Sequence, residues 1–157
     1  DFDRRPELLR ALRKIRVIGR GATGEVVLVE SPRTGRHYCV KRVVLPPQNT
    51  ARQMGMEVEV LRRLDHPNVI RYYGSYLAGE GSPRAGGGED MSLHIVMDYA
   101  DSGTLAQWLA SRWGSVREED RPASIPEEEI MSVFAQLVEG LAHVHSRHIL
   151  HRDLKAE

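Results

Sequence analysis

The chain has 157 residues, of which 41% are hydrophobic and 28% are charged, the composition of an ordinary globular domain. Basic and acidic residues balance at 22 each, so no net field favours nucleic acid or an anionic membrane surface as a partner. Cys39 is the only cysteine, which excludes an internal disulfide and a cysteine-based zinc site. No apolar run approaches the roughly 20 residues of a membrane span. We therefore expect a soluble, cytoplasmic protein.

The first part of the chain reads as a small antiparallel sheet. Apolar, β-branched runs over 14–18 and 26–29 flank a glycine cluster, which predicts strand, turn and strand. A turn-rich stretch then precedes a third predicted strand over 37–44. Residues 50–64 have apolar side chains at helical spacing and predict an amphipathic helix.

Two further strands are predicted over 70–77 and 92–99. The Gly/Ser/Pro-rich stretch from Ala78 to Asp90 predicts a mobile loop between them. These elements together predict five strands and one helix.

The character changes to helical after Gly103. A short helix is predicted around Leu105 to Leu109, and a long one follows a capping box at Ser124-x-x-Glu127, with Pro126 in its first turn. The long helix carries one apolar stripe, made of Ile130, Val133, Phe134, Leu137, Leu141 and Val144.

Two motifs of the first part indicate phosphate binding. The pattern Gly19-x-Gly21-x-x-Gly24 lies between two predicted strands, where glycines let backbone amides approach an anion. The alternative is a plain glycine hairpin that binds no ligand. A dinucleotide-binding site is disfavoured, because that version of the motif needs a helix after the glycines, and a strand is predicted here. Lys41 on the third strand is either an exposed lysine or a phosphate-binding cation held by a carboxylate, for which Glu57 is the best candidate.

These motifs, followed by His151-Arg152-Asp153-Leu154-Lys155, occur in the order of the protein kinase family. The chain resembles a eukaryotic-type serine/threonine protein kinase catalytic domain, and among these the NIMA-related kinases. The resemblance implies an α+β two-lobe fold, with an N-terminal extension over 1–12, an N-lobe of five antiparallel strands and one helix over 13–98, and a partial C-lobe over 99–157. Cytoskeletal or ciliary association is compatible with this subfamily.

The resemblance also implies roles for individual residues. ATP would be bound by backbone and side chains of the first lobe and the linker after it, with Met97 as the gatekeeper. The implied nucleotide-binding positions are Gly19, Gly21, Gly24, Val26, Cys39, Lys41, Glu57, Met97, Asp98 and Ala100. Asp153 would accept the proton of a Ser/Thr hydroxyl on a protein substrate, Lys155 would contact the γ-phosphate, and Arg152 would pair with a phosphorylated loop.

The family pattern continues past the sequence given. The catalytic-loop asparagine would follow Glu157, and the Asp-Phe-Gly motif would come later, so the expected Mg²⁺ ligands lie outside this sequence. We therefore expect the isolated chain to be inactive. A non-catalytic ATP-binding or partner-binding module is the alternative. His143, His145 and His148 predict no metal site, since no carboxylate or cysteine completes one.

Overall fold

A computed structural model describes residues 7–21, 24–45, 58–83, 89–113 and 125–156. The helices and strands, in chain order, are α1 Glu7–Arg10, β1 Arg13–Gly21, β2 Gly24–Glu30, β3 His37–Val44, β4 Tyr72–Pro83, β5 Glu89–Asp98, α2 Leu105–Trp113 and α3 Glu127–Ser146. The five strands form one antiparallel sheet in the order β1-β2-β3-β5-β4. Helix α1 precedes the sheet, and α2 and α3 follow it. The predicted five-stranded sheet with few helices is confirmed.

The register of the three central strands gives the sheet two different faces. Successive side chains of a strand point to opposite faces, so residues paired across strands share a face. One face, called the core face, carries Val27, Val29, Tyr38, Val40 and Val96. The other, called the lysine face, carries Val26, Leu28, Cys39, Lys41, Ile95 and Met97.

Helix α1 packs on the core face of the sheet. Leu9 is 3% exposed and joins the buried cluster of that face, together with the partly buried Leu12. A Cβ on Gly74 would lie 2.7 Å from Leu9 Cδ1, so the glycine leaves the space that the leucine fills. The end of the predicted N-terminal extension is therefore part of the hydrophobic core on this face of the sheet.

The prediction of a loop from Ala78 to Asp90 was wrong for most of its length. β4 continues to Pro83, β5 already begins at Glu89, and the two strands pair as far as Pro83 and Glu89. Residues 84–88 lie outside the described part of the chain. Cross-strand pairing outweighed the low strand propensity of the Gly/Ser/Pro-rich sequence.

The two other local predictions are only partly covered by the described residues. Of the helix predicted over 50–64, residues 58–64 are described, and the helix ends at residue 62. Helix α3 begins at Glu127, so Pro126 is its N-cap residue and does not lie within the first turn. Its carbonyl accepts the backbone N–H groups of Glu129 and Ile130 at 3.0 and 3.2 Å. Ser124, the other half of the predicted capping box, lies outside the described residues.

The chain divides into two compact units, residues 1–65 with 70–99, and residues 66–69 with 100–157. In the second unit, the short segment around Asn68 packs on α3. Asn68 Nδ2 donates to Gln136 Oε1 at 3.3 Å, and a Cβ on Gly140 would lie 2.9 Å from the Asn68 carbonyl oxygen. The rings of His66 and His143 are in contact, with centroids 4.8 Å apart.

The apolar stripe of α3 is exposed in its first half and buried at its end. Ile130, Phe134 and Leu137 are each about half exposed, whereas Val144 is buried. Within the described segments, neither α3 nor any other helix combines the length and apolarity that a membrane crossing requires.

Substitution of Gly24 tests whether β2 and β3 approach each other closely at this position. A Cβ at this position would lie 1.8 Å from the Arg42 carbonyl oxygen, a backbone atom that moves only if the strand pairing moves. We expect Gly24→Ala to lower the free energy of unfolding by about 2 kcal/mol or more in urea denaturation.

Gly21→Ala is the matched control, because no atom of the described residues lies within 4 Å of a Cβ at Gly21. Its expected effect is within about 0.5 kcal/mol. Equal effects of the two substitutions would show that the close approach at Gly24 is not a constraint.

Candidate functional site

The glycine motif forms the end of the β1–β2 hairpin. Gly19 pairs with Val26, and Gly21 pairs with Gly24, with residues 22 and 23 outside the described part. A strand, and not a helix, follows Gly24, which excludes the dinucleotide-binding arrangement that a similar glycine pattern has elsewhere. Gly21 is exposed, and no described atom lies within 4 Å of the position a Cβ would take there.

Lys41 lies on the lysine face between two apolar neighbours. It pairs with Val26 of β2 and with Ile95 of β5, and Ile95 is fully buried. The residue is itself partly buried. Glu57, its predicted carboxylate partner, lies outside the described residues. The structure thus brings Lys41 and Val26 side by side on one face.

Cys39 and Met97 form the next pair along the same face. The Cys39 thiol donates to the backbone carbonyl of Asp98 at 3.1 Å, and the thiol is buried. Burial, and next the nearby Asp98 carboxylate, raise the pKa of this thiol. Cys39 therefore contributes a small, protonated side chain that touches the first carbonyl of the predicted linker.

The side chain of Asp98 points to the core face, where it meets two residues that sequence reasoning did not single out. Arg36 Nη2 donates to Asp98 Oδ1 at 2.9 Å, and the Tyr73 hydroxyl donates to the same oxygen at 2.8 Å. Arg36 Nη2 also lies 2.6 Å from the Tyr73 hydroxyl. No motif joins these three positions, which only the sheet register brings together. Ala100, the other predicted linker position, is exposed and belongs to the second unit.

The predicted catalytic residues lie in the segment after α3. Arg152 has a left-handed backbone with φ of 62°, which is uncommon for a residue other than glycine and occurs often at functional sites. The Asp153 backbone N–H donates to His151 Nδ1 at 3.4 Å, and Lys155 Nζ lies 3.1 Å from Asp153 Oδ2. The side chains of Asp153 and Lys155 are exposed. The structure therefore brings the predicted catalytic carboxylate and lysine together.

The end of this segment is fixed to α2. The Ala106 backbone N–H donates to the Ala156 carbonyl at 2.8 Å, within the second unit. In the part of the chain that the structure describes, no group of three or more His, Cys, Asp or Glu side chains could hold a metal ion.

A strand-borne lysine beside a glycine hairpin, together with an aspartate and lysine in a strained loop after a long helix, defines the class of protein kinase catalytic domains. The family "Protein kinase domain" matches residues 12–157. The chain belongs to this family.

Its relatives include several NIMA-related kinases, as the sequence motifs predicted. It is 33% identical over 145 residues to serine/threonine-protein kinase Nek4 of Mus musculus, covering 91% of this chain and 16% of that protein. It is 34% identical over 146 residues to Nek1 of Mus musculus and to Nek8 of Danio rerio, covering 92% of this chain and 11% and 18% of those proteins. The chain thus spans less than one fifth of the length of these relatives.

Because Cys39 is the only cysteine, its reactivity reports on the lysine face directly. Burial and the raised pKa both reduce the exposed thiolate, which is the reactive form. We expect a disulfide reagent at pH 8 to label the folded chain about 100-fold more slowly than the denatured chain. Labelling at the same rate in both states would contradict a buried, hydrogen-bonded thiol.

Titration of Tyr73 makes the stability of the fold depend on pH in the alkaline range. Burial, and then its hydrogen bond to Asp98, raise the pKa of Tyr73 from 10.0 to about 12. The protonated phenol is therefore favoured in the folded state, so its stabilising contribution is present below pH 10 and is lost as the pH rises through about 12.

The ultraviolet absorbance of tyrosinate measures this titration. We expect Tyr73→Phe to remove the last step of the tyrosine titration of the folded chain, whereas Tyr99→Phe leaves that step in place. If the step persists in Tyr73→Phe, the hydrogen bond to Asp98 does not hold the phenol in its protonated form.

Proposed function

We propose that this chain carries the ATP-binding and phosphoryl-transfer residues of a serine/threonine protein kinase. The observation that carries the proposal is the pairing on the lysine face, where Lys41 lies beside Val26 and the Cys39–Met97 pair leads to the Asp98 carbonyl. An apolar sheet face with a cation at one end and a backbone acceptor at the other matches an adenine nucleotide in chemistry.

The first unit has the groups to bind ATP. Val26 and Cys39 would cover the adenine ring, and the Asp98 carbonyl would bond its polar edge. The glycine hairpin and Lys41 would hold the phosphates, since a lysine serves as a point charge for phosphate oxygens. Glu57 would orient Lys41. Met97, as gatekeeper, would limit the depth of the adenine pocket.

The second unit would supply the transfer chemistry. ATP brings the γ-phosphoryl group as a substrate. A Ser/Thr hydroxyl oxygen of the protein substrate forms a bond to the γ-phosphorus, the bond to the β,γ-bridging oxygen breaks, and ADP leaves. The Asp153 carboxylate accepts the hydroxyl proton. Lys155, already 3.1 Å from Asp153, would neutralise charge on the γ-phosphate.

Arg152 would act outside the transfer step. Its left-handed backbone fixes the residue directly before Asp153, so the loop conformation is set before a substrate arrives. The guanidinium would then pair with a phosphate group on a regulatory loop, as the family resemblance implies. Mg²⁺ would neutralise charge on the phosphates when bound, and in the family pattern its ligands follow later than the residues of this sequence.

Nucleotide binding tests the proposal on the chain itself. We expect a fluorescent ATP analogue to bind, and unlabelled ATP to displace it. Lys41→Ala should weaken binding about tenfold or more, because a charge-assisted contact to phosphate is lost.

Lys14→Ala is the matched control, because Lys14 is an exposed lysine of the same sheet, on strand β1, and lies outside the lysine face. Its expected effect on ATP binding is less than about twofold. If ATP does not bind the folded wild-type chain, or if both lysine variants bind equally, the nucleotide-binding role of the lysine face is wrong.

A further inference from the structure

Asp98 is held through three of its atoms, each by a different part of the first unit. Its backbone N–H donates to the Arg71 carbonyl at 2.9 Å, and its carbonyl accepts the Cys39 thiol at 3.1 Å. Its carboxylate oxygen Oδ1 accepts from both Arg36 and Tyr73. The residue that carries the proposed adenine-binding carbonyl is thus anchored from the opposite face of the sheet.

Arg36 and Tyr73 are themselves held firmly. The Tyr73 ring packs edge-on against Tyr38, with centroids 5.1 Å apart, and Tyr38 is buried. The Arg36 guanidinium lies over both rings, at 5.3 and 5.4 Å from their centroids. Planar groups packed in this way lose little further freedom when they bond the carboxylate.

We propose that Arg36 and Tyr73 are positioning residues for purine selection, because their bonds to Asp98 Oδ1 fix the linker carbonyl that accepts the 6-amino group of adenine. This inference rests on the proposed function. A carbonyl oxygen has two lone pairs, so it can accept the Cys39 thiol and an amino group together. Guanine presents a carbonyl at the same position and would face this acceptor with a second acceptor.

The arrangement differs from an ordinary surface ion pair. A single exposed pair has little effect on structure, and the Arg36 side chain is 56% exposed. Here the carboxylate oxygen is shared by a cation and a phenol that also contact each other, so removal of either group weakens the restraint on Asp98. Burial and the hydrogen bond to Asp98 raise the pKa of Tyr73, as expected for a phenol that donates to a carboxylate.

The experiment compares two hydroxyl deletions on β4. Tyr73→Phe removes the donor to Asp98 and keeps the ring, while Tyr76→Phe removes a phenol oxygen from the same face, where Tyr76 stacks on His94 at 4.8 Å. The probes are ATP, GTP and inorganic tripolyphosphate, which has the phosphates without a base. A role in purine selection changes ATP binding and leaves tripolyphosphate binding unchanged.

We expect Tyr73→Phe to weaken ATP binding about three- to tenfold, and to reduce the preference for ATP over GTP by a similar factor. Tyr76→Phe should change neither quantity by more than about twofold. Arg36→Gln should behave like Tyr73→Phe, and the double variant should fall short of the sum of the two, because both groups bond one oxygen.

Amide hydrogen exchange provides a readout that does not require nucleotide binding. We expect faster exchange of the Asp98 amide in Tyr73→Phe than in the wild type or Tyr76→Phe. Unchanged exchange, or faster exchange with an unchanged ATP preference over GTP, would overturn the inference. Loss of ATP and tripolyphosphate binding together would identify a general loss of structure and overturn it as well. If the wild-type chain binds no ATP, the proposed function fails first, and exchange at Asp98 still shows whether the restraint exists.

Discussion

The alternation of side chains along β3 is the constraint on which the first unit depends. Val40 and Lys41 are neighbours in sequence but lie on opposite faces, because each residue of a strand reverses the direction of its side chain. Tyr38 and Val40 are buried in the cluster that Leu9 joins, and this burial fixes the register of β3 against β2 and β5. The positions of Cys39 and Lys41 on the other face follow from that register. A slip by one residue would bury the lysine in the core face.

Asp98 is the last residue of β5, and its hydrogen bonds on the core face hold a backbone carbonyl that contacts the lysine face. Its side chain is bonded by Arg36 and Tyr73 on the core face, while its carbonyl accepts the Cys39 thiol of the lysine face. The side chain of a strand residue normally makes contacts on one face of the sheet only. Asp98 is bonded by residues of both faces, so the packing of the core face also positions the linker carbonyl.

The described residues of the second unit form no strand, and its structure depends on a close backbone approach and on a strained backbone conformation. Glycine within a helix costs about 1 kcal/mol relative to alanine, yet at Gly140 a Cβ would lie 2.9 Å from the Asn68 carbonyl oxygen. The absence of a side chain allows the segment around Asn68 to lie against α3. The left-handed residue Arg152 follows later in the same unit, with the segment end bonded to Ala106. Packing around the loop thus maintains a conformation that a short peptide would rarely adopt.

The sequence by itself determined the five strands, the order of the motifs and the family, because apolar periodicity and glycine position are local properties that fix secondary structure and motif spacing. It also pointed to Lys41, Asp153 and Lys155 from their motif positions. Only the tertiary structure decided that the β4–β5 hairpin extends to Pro83 and Glu89, since pairing between strands outweighs local propensity. Only the tertiary structure brought Arg36 and Tyr73 to Asp98, because residues 62 and 25 positions away in sequence meet it through strand register, which no local pattern encodes.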